Sequence, residues 1–244
     1  MVKTQLNQIN FNHILAELDS SDIIVAIKYS DFKQESHYFF DRVLSDDEQL
    51  RASKYVVDKP RHNFIITRGL LRLLLSNNLN CNPETILFKK NNHGKPFIKN
   101  SSVFFNVSHS GDYCVIALSR RSEIGIDIEV NNTTINKLAI IKRFFSIQEQ
   151  DWIFSQEKER LSELFYRTWT AKEAVCKAIG VGLWSANNMF SVIASSNKFY
   201  VDVNTKLTEF NCKKYAVSKL DLAEEYWCSV SVQESYSNIK LIFL

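Results

Sequence analysis

Two parts of this 244-residue chain carry the same succession of helix signals, and this repetition limits the folds that it can adopt. Ser45 and Ser146 are each followed three residues later by Glu, the pattern of a capping box at a helix start. Long amphipathic segments follow at residues 61–79 and 161–179, and Gly180 ends the second. A shift of 101 residues superposes the two parts and predicts an internal duplication, although two unrelated amphipathic helices would align equally well.

Short apolar and β-branched runs, bounded by turn residues, predict strands around both helices. They lie at 22–30, 84–90, 103–108 and 112–119, and then at 124–130, 188–194, 198–203, 213–219, 226–232 and 239–243. This order predicts an α+β fold, a pseudo-dimer of two similar halves at residues 1–120 and 121–244. We expect the active site in the cleft between the halves, a favoured place for a ligand.

Composition and charge narrow the class of protein. A net charge of +3 is too mild to predict a nucleic-acid partner, but it suits a small polyanionic ligand or an acidic protein. No apolar run approaches the ~18 residues of a membrane span, and residues 1–8 lack the apolar core of a signal peptide. The five scattered cysteines favour free thiols. We therefore expect a cytoplasmic protein that binds neither nucleic acid nor membrane.

The strand predicted at 124–130 carries two acidic residues two positions apart. Asp127 and Glu129 therefore share one face, while the apolar Ile126 and Ile128 share the other. Two carboxylates on one strand face repel each other and resist burial, and a hard divalent cation with oxygen ligands would relieve that conflict. The wet outer face of an edge strand explains the same pattern equally well.

The second long helix adds a third carboxylate. Trp169, Glu173 and Lys177 stand four residues apart and so share one helix face. By themselves, Glu173 and Lys177 are more simply explained as a solvated ion pair. Together with Asp127 and Glu129, however, Glu173 would complete an all-oxygen ligand set that suits Mg²⁺.

Other residues are candidates for contacts with a phosphate. They are His109 within Asn-Val-Ser-His-Ser, Lys95 within the turn Gly-Lys-Pro, and the arginines Arg51, Arg61, Arg68 and Arg72. Arginine suits bidentate recognition of phosphate. Each candidate also has a simpler interpretation. His109 could be a hydrogen-bonded structural residue, Lys95 part of a solvated hairpin loop, and the arginines part of a solvated helix face.

Taken in order along the chain, these stretches resemble the Sfp-type 4′-phosphopantetheinyl transferases. The shared motifs are Gly-Lys-Pro at 94–96, Asn-Val-Ser-His-Ser at 106–110, Ile-Gly-Ile-Asp-Ile-Glu at 124–129, Lys-Arg-Phe-Phe-Ser at 142–146 and Trp-x-x-Lys-Glu-Ala-x-x-Lys at 169–177. Any one of them is weak evidence, but five in order are specific. The first 40 residues and those beyond about 205 carry little of the resemblance.

The resemblance implies a fold and an activity. Such enzymes transfer the phosphopantetheine arm of coenzyme A to a serine of an acyl or peptidyl carrier domain. The products are the holo-carrier and adenosine 3′,5′-bisphosphate. Members of this length are monomers made of two fused α+β halves.

The resemblance also implies roles for individual residues. Mg²⁺, or Mn²⁺ in its place, would be held by Asp127, Glu129 and Glu173. Asp127, Glu173 and Lys177 would be catalytic, with Glu173 or a water held by the metal taking the serine proton. The coenzyme A contacts would be Arg51, Arg61, Lys95, Pro96, Ser108, His109 and Lys177. Asn63 and Phe64 stand where some relatives have Arg and Thr, so the nucleotide site departs from the family pattern there.

The carrier is expected to dock near residues 131–143, where a polar loop is followed by the apolar residues Ile135, Leu138 and Ile141. Ordinary core packing of a short helix is an equally good interpretation of these apolar residues. Two further functions compete with transfer. Acidic triads also serve Mg²⁺-dependent phosphodiesterases and nucleases, and a non-catalytic protein could bind coenzyme A or a carrier as a regulator.

Overall fold

The computed structural model describes residues 11–32, 36–184, 186, 190–195, 198–203, 215–233 and 238–244. Its helices are α1 Phe11–Leu18, α2 Ser36–Asp41, α3 Asp46–Ser53, α4 Asp58–Leu79, α5 Lys137–Phe144, α6 Ile147–Phe154 and α7 Leu161–Ile179. Its strands are β1 Asp22–Lys28, β2 Phe88–Lys90, β3 Pro96–Ile98, β4 Phe104–Ser110, β5 Tyr113–Ser119, β6 Ile124–Val130, β7 Phe190–Ser195, β8 Lys198–Val203, β9 Tyr215–Leu220, β10 Tyr226–Gln233 and β11 Ile239–Phe243.

The strands form two main sheets and two hairpins. The first sheet has the order β11-β1-β5-β4 and the second the order β6-β10-β9, while β2 pairs with β3 and β7 with β8. Strand β11 runs parallel to β1, and the other paired strands are antiparallel. The last strand of the chain therefore joins the sheet of the first half.

The two halves repeat the same order of elements. Strand β1, helices α3 and α4, hairpin β2–β3 and strands β4 and β5 correspond to β6, α6, α7, β7–β8, β9 and β10. The sheet orders β1-β5-β4 and β6-β10-β9 correspond as well. Helices α3 and α6 begin at Asp46 and Ile147 and end at Ser53 and Phe154, both 101 residues apart. The prediction of an α+β fold with two similar halves is confirmed, whereas the division at residue 120 stays a prediction.

The halves pack through their sheets. Helix α4 covers one face of the first sheet, where Ile23, Val25, Ile116 and Leu118 meet Leu70 and Leu74. The opposite face presents Ile24, Ala26, Val115 and Ala117 to Ile124, Ile126 and Ile128 of β6. Because β6 buries its isoleucines against the first sheet, its alternate residues, including Asp127 and Glu129, face the other way, towards α7.

Both predicted capping boxes form, and each holds a buried cation from the long helix of its own half. Glu48 accepts from the Ser45 amide at 3.3 Å, and Glu149 accepts from the Ser146 amide at 2.7 Å. In the first half Arg72, 2% exposed, pairs with Glu48. In the second half Lys172, 1% exposed, lies 2.9 Å from Glu149. These pairs fix the long helices against the helices that precede them.

Two predicted boundaries are wrong. Residues 84–90 were expected to form one strand, but Pro83–Thr85 is a 3₁₀ turn and β2 is limited to Phe88–Lys90. Proline fixes φ and lacks an N–H, so it favours a turn at this point. Strand β4 extends through Ser110, and the turn that follows uses Gly111 at φ 57°. The remaining predicted strands agree within a few residues where the structure describes them.

Two further expectations concern thiols and membranes. The four described cysteines are free thiols, and Cys212 lies outside the described residues. Among the described segments, none of the helices combines the length and the hydropathy that a membrane span requires.

Candidate functional site

A cavity of about 350 Å³ opens where β4, β6 and α7 meet, at the junction of the two halves. Its lining residues are Val107, Ser108, His109, Asp127, Glu129, Trp169, Glu173 and Lys177. The three carboxylates predicted as metal ligands thus line one cavity together with Lys177, Ser108 and His109. This arrangement favours the metal-site interpretation of Asp127 and Glu129 over a wet edge strand.

The close crossing of α7 over β6 depends on Gly125. A Cβ at this position would lie 2.1 Å from the Ala174 carbonyl oxygen and 2.3 Å from the Ala178 amide nitrogen. No side chain fits in that space, so the helix backbone rests directly on the strand. The contact brings Glu173 and Lys177 beside Asp127, two residues further along the strand.

Asp127 and Lys177 form the centre of the cavity. The Lys177 ammonium lies 2.7 Å from Asp127 Oδ1, and it also donates to Ser108 Oγ at 3.0 Å and to the Ile126 carbonyl at 3.1 Å. Asp127 is only 4% exposed, and its second oxygen, Oδ2, has no hydrogen-bond partner among the described residues. A buried carboxylate oxygen without a partner is costly, so the site suits a ligand that would satisfy it.

The pKa of each of the three carboxyl groups is raised in this cavity. Burial raises the pKa of Asp127, although Lys177 and Ser108 oppose this effect. Burial also raises the pKa of Glu129 and of Glu173, and the charge of Asp127 raises both further. Negative charges crowded in a largely buried site favour a proton or a cation there.

The donor set fits a hard divalent cation. Carboxylate oxygens are the ligands that Mg²⁺ and Mn²⁺ prefer. Three carboxylates line this cavity, and one of them, Asp127, has an oxygen without a partner among the described residues. Within the described part of the chain, no three acidic, histidine or cysteine side chains already stand in a metal-binding arrangement. Asp127 Oδ1 pairs with Lys177, so uptake of a cation would require this ion pair to open, whereas the bond from Ser110 engages only Oε2 of Glu129.

The structure places Lys95 and Pro96 outside this cavity. The Lys95 ammonium pairs with Glu123 and donates to the Ala178 carbonyl at 3.0 Å and to the Ile124 carbonyl at 3.4 Å. Pro96 begins the short strand β3. Lys95 therefore links the β2–β3 hairpin to the end of α7.

The predicted arginines also lie away from the lining of the cavity. Arg51 is exposed, with its guanidinium 4.7 Å from the centre of the Phe64 ring, and Arg61 is exposed near the start of α4. Arg68 pairs with Glu48 at 3.2 Å. Arg72 is neither solvated nor available to a phosphate, because it is buried against Glu48 and donates to two backbone carbonyls.

Sequence reasoning missed three residues of the site. Trp169 and Val107 line the cavity, and Ser110 donates to Glu129 Oε2 at 2.9 Å. Trp169 shares the predicted helix face of Glu173 and Lys177, and this spacing is sufficient to infer its position. Ser110 lies two residues after Ser108, but beyond the predicted end of that strand at residue 108, so the wrong boundary hid the shared face of the two serines.

Comparison with known proteins gives the same family for both halves. The chain matches the models described as "4'-phosphopantetheinyl transferase, N-terminal" at residues 31–121 and "4'-phosphopantetheinyl transferase superfamily" at residues 123–231. The solved structure of Helicobacter pylori holo-[acyl-carrier-protein] synthase in complex with coenzyme A is 22% identical, with a TM-score of 0.37. That match covers 46% of this chain and 99% of that one.

Among curated relatives, a putative 4′-phosphopantetheinyl transferase of Synechocystis is 38% identical over 147 residues, 59% of this chain and 60% of the relative. A 4′-phosphopantetheinyl transferase of Aneurinibacillus migulanus is 32% identical over 208 residues, 83% of this chain and 82% of the relative. The match thus spans about three fifths of the first relative and four fifths of the second. With the second aligned over most of its length and two family models matching in tandem, the chain belongs to the 4′-phosphopantetheinyl transferase superfamily.

Proposed function

We propose that the protein transfers the 4′-phosphopantetheine arm of coenzyme A to a serine of an acyl or peptidyl carrier domain. The products would be the holo-carrier and adenosine 3′,5′-bisphosphate. The observation that carries this proposal is the convergence of three carboxylates and Lys177 in one cavity between the halves. The names of the relatives in the same family support it.

A divalent cation, Mg²⁺ or Mn²⁺, would be held by Asp127, Glu129 and Glu173. When bound, such a cation neutralises charge on phosphate oxygens and makes the phosphorus more electrophilic. Phosphoryl-type transfer depends mostly on positioning and on neutralisation of charge. The three carboxylates would hold the cation in place, and Lys177 adds a positive charge beside them.

Two residues of the chain would accept and donate the protons of the reaction. In the reaction the carrier serine oxygen bonds to the phosphorus next to the pantetheine, and the P–O bond to the other phosphate of the pyrophosphate breaks. Glu173 would take the serine proton, since burial and the nearby Asp127 charge raise its pKa and so favour the protonated carboxyl. Lys177 would donate a proton to the leaving phosphate oxygen.

The support for the proposed coenzyme A contacts differs from residue to residue. Ser108 and His109 line the cavity, and His109 is exposed on β4 and so accessible to a phosphate. Arg51 and Arg61 are exposed cations near the start of α4, which keeps them available for the nucleotide phosphates. Lys95 and Pro96 stay candidates, although the contacts of Lys95 with Glu123 would have to be exchanged for contacts with the ligand.

The carrier would dock on the segment after the acidic strand. Within α5, Leu138 is 47% exposed whereas Ile141 is fully buried, so Leu138 is the large apolar side chain of this helix that is most available to a partner. Lys142 and Arg143 add positive charge at the end of the same helix, which suits an acidic carrier surface. We also expect the protein to act as a cytoplasmic monomer.

Mass spectrometry of candidate apo-carriers incubated with coenzyme A and Mg²⁺ tests the proposal. A serine that gains the mass of one phosphopantetheine arm, together with release of adenosine 3′,5′-bisphosphate, is the expected result. Cleavage of coenzyme A in the absence of any carrier would instead indicate a phosphodiesterase. Binding of coenzyme A without transfer to any carrier of the source organism would indicate a regulator.

A further inference from the structure

We propose that Ser110 is a positioning residue that orients Glu129 for cation binding. It would act as the last step of a ladder of β4 side chains along the junction of the halves. The proposal deepens the proposed function, because it assumes that Glu129 is a ligand of the divalent cation. The residues of the ladder are Asn106, Ser108 and Ser110, which alternate along β4.

The ladder takes the place of a backbone pairing between two sheet edges. Strand β4 ends the first sheet and β6 ends the second. Alternate β6 amides donate to β4 side chains: Ile126 to Asn106 Oδ1 at 2.9 Å, Ile128 to Ser108 Oγ at 3.4 Å, and Val130 to Ser110 Oγ at 3.1 Å. Both strands advance by two residues at each step, so β6 runs parallel to β4. Edge amides that would otherwise be buried without partners are satisfied in this way.

The two serines also reach the acidic residues of the site. Ser108 Oγ donates to Asp127 Oδ1 at 3.0 Å, and Ser110 Oγ donates to Glu129 Oε2 at 2.9 Å. A hydroxyl has one hydrogen, so acceptance from a β6 amide leaves that hydrogen for the carboxylate. At the same offset, Asn106 stands beside Gly125, which has no side chain to orient. Asn106 is therefore a ladder residue without a role towards a carboxylate.

The serines differ in what else holds their carboxylate. Asp127 is also held by Lys177 at 2.7 Å, a strong contact that the loss of Ser108 would leave in place. Glu129 has no cation at this distance among the described side chains, and its hydrogen bonds come from Ser110 and Trp169. Groups that orient a metal ligand commonly contribute 10–100-fold in metal affinity. Ser110 is thus the ladder residue whose loss should be felt most at the cation.

The test measures Mn²⁺ binding to the full chain by electron paramagnetic resonance, and thermal unfolding in parallel. Ser110→Ala should raise the Mn²⁺ dissociation constant by about 10–100-fold. Ser110→Thr keeps the hydroxyl on a side chain that suits a strand, and it should restore the binding of the unaltered protein. Asn106→Ala should lower the melting temperature and leave the Mn²⁺ dissociation constant unchanged.

Three results would overturn the positioning role. They are unchanged Mn²⁺ binding in Ser110→Ala, equally weakened binding in Asn106→Ala, and weakened binding that persists in Ser110→Thr. Lack of Mn²⁺ binding by the unaltered protein would remove the cation site and this proposal with it. Transfer to an apo-carrier is assayed separately on the unaltered protein. If that protein transfers the arm and Ser110→Ala binds Mn²⁺ equally tightly, the role of Ser110 is overturned and the proposed function stands.

Discussion

Glu173 is the residue on which the proposed proton transfer depends. It is half-buried in the cavity, and Glu173→Gln removes the base while keeping the size of the side chain. We expect the rate of transfer to fall by about 10²–10⁴-fold, and by more if the residue also holds the cation. Single-turnover transfer to an apo-carrier, followed by mass spectrometry, measures this rate.

Glu163→Gln is the matched control, because it makes the same substitution on the same helix. Glu163 pairs with Arg160 and Arg167 and does not line the cavity. This variant should transfer at the rate of the unaltered protein. Near-normal transfer by Glu173→Gln would contradict the assignment of Glu173 as the base.

Residues whose role follows from local periodicity could be predicted from the sequence. The shared face of Asp127 and Glu129 and the stripe that includes Glu173 need only the repeats of a strand and a helix. The role of Lys95 could not be predicted, because its partner at Ala178 lies 83 residues further along the chain. A charge near a turn gives no signal of such a distant contact.

The packing of α7 on β6 gives a prediction at the scale of elements. Gly125→Ala would place a methyl group within 2.1 Å of the Ala174 carbonyl oxygen, and neither backbone can move easily. We expect the free energy of unfolding to fall by about 1–3 kcal/mol or more, as for other overpacked cores. Urea denaturation measures the loss.

Gly182→Ala provides the comparison for this element. No atom of the described residues lies within 4 Å of a Cβ at Gly182, and its φ is not positive. Its substitution should leave stability nearly unchanged or raise it slightly by restricting the unfolded chain. Equal stability of the two variants would show that α7 does not require the close approach at Gly125.

Elements with strong local signals were predicted well, and short ones were not. Both capping boxes and both long helices could be read from the sequence because caps and apolar periodicity are local. Helices α1 and α2, with eight and six residues, were not predicted. Helices this short are marginal alone and depend on tertiary packing, which in α2 includes Phe40 against Gly69 of α4.

At the scale of the whole molecule, the β2–β3 hairpin of the first half is hydrogen-bonded to the end of α7 in the second half. Asn91 donates to the Gly180 carbonyl at 2.7 Å, beside the contact of Lys95 with Ala178. Burial lowers the pKa of Lys95, and Glu123 opposes this effect. Lys95→Met removes the hydrogen bond to the Ala178 carbonyl and leaves that carbonyl without its partner. We expect the free energy of unfolding to fall by about 1–3 kcal/mol.

The alternative role of Lys95 as a coenzyme A contact makes a different prediction. Lys95→Met would then raise the KM for coenzyme A while stability stayed the same. Urea denaturation and steady-state kinetics on one preparation separate the two roles. Lys99→Met, at an exposed lysine just after the hairpin, is the control for loss of a positive charge.

In the proposed reaction the carrier is the larger substrate, and its binding should depend on a surface of α5 that does not line the cavity. Leu138→Ala removes an exposed apolar side chain from α5, and we expect the KM for the carrier to rise about 5–30-fold. The KM for coenzyme A and the melting temperature should stay unchanged. Ile141→Ala, on the buried face of the same helix, should instead cost about 2–5 kcal/mol of stability. If Leu138→Ala lowers stability and leaves the carrier KM unchanged, then α5 serves the core, and the carrier must approach the cavity from another side.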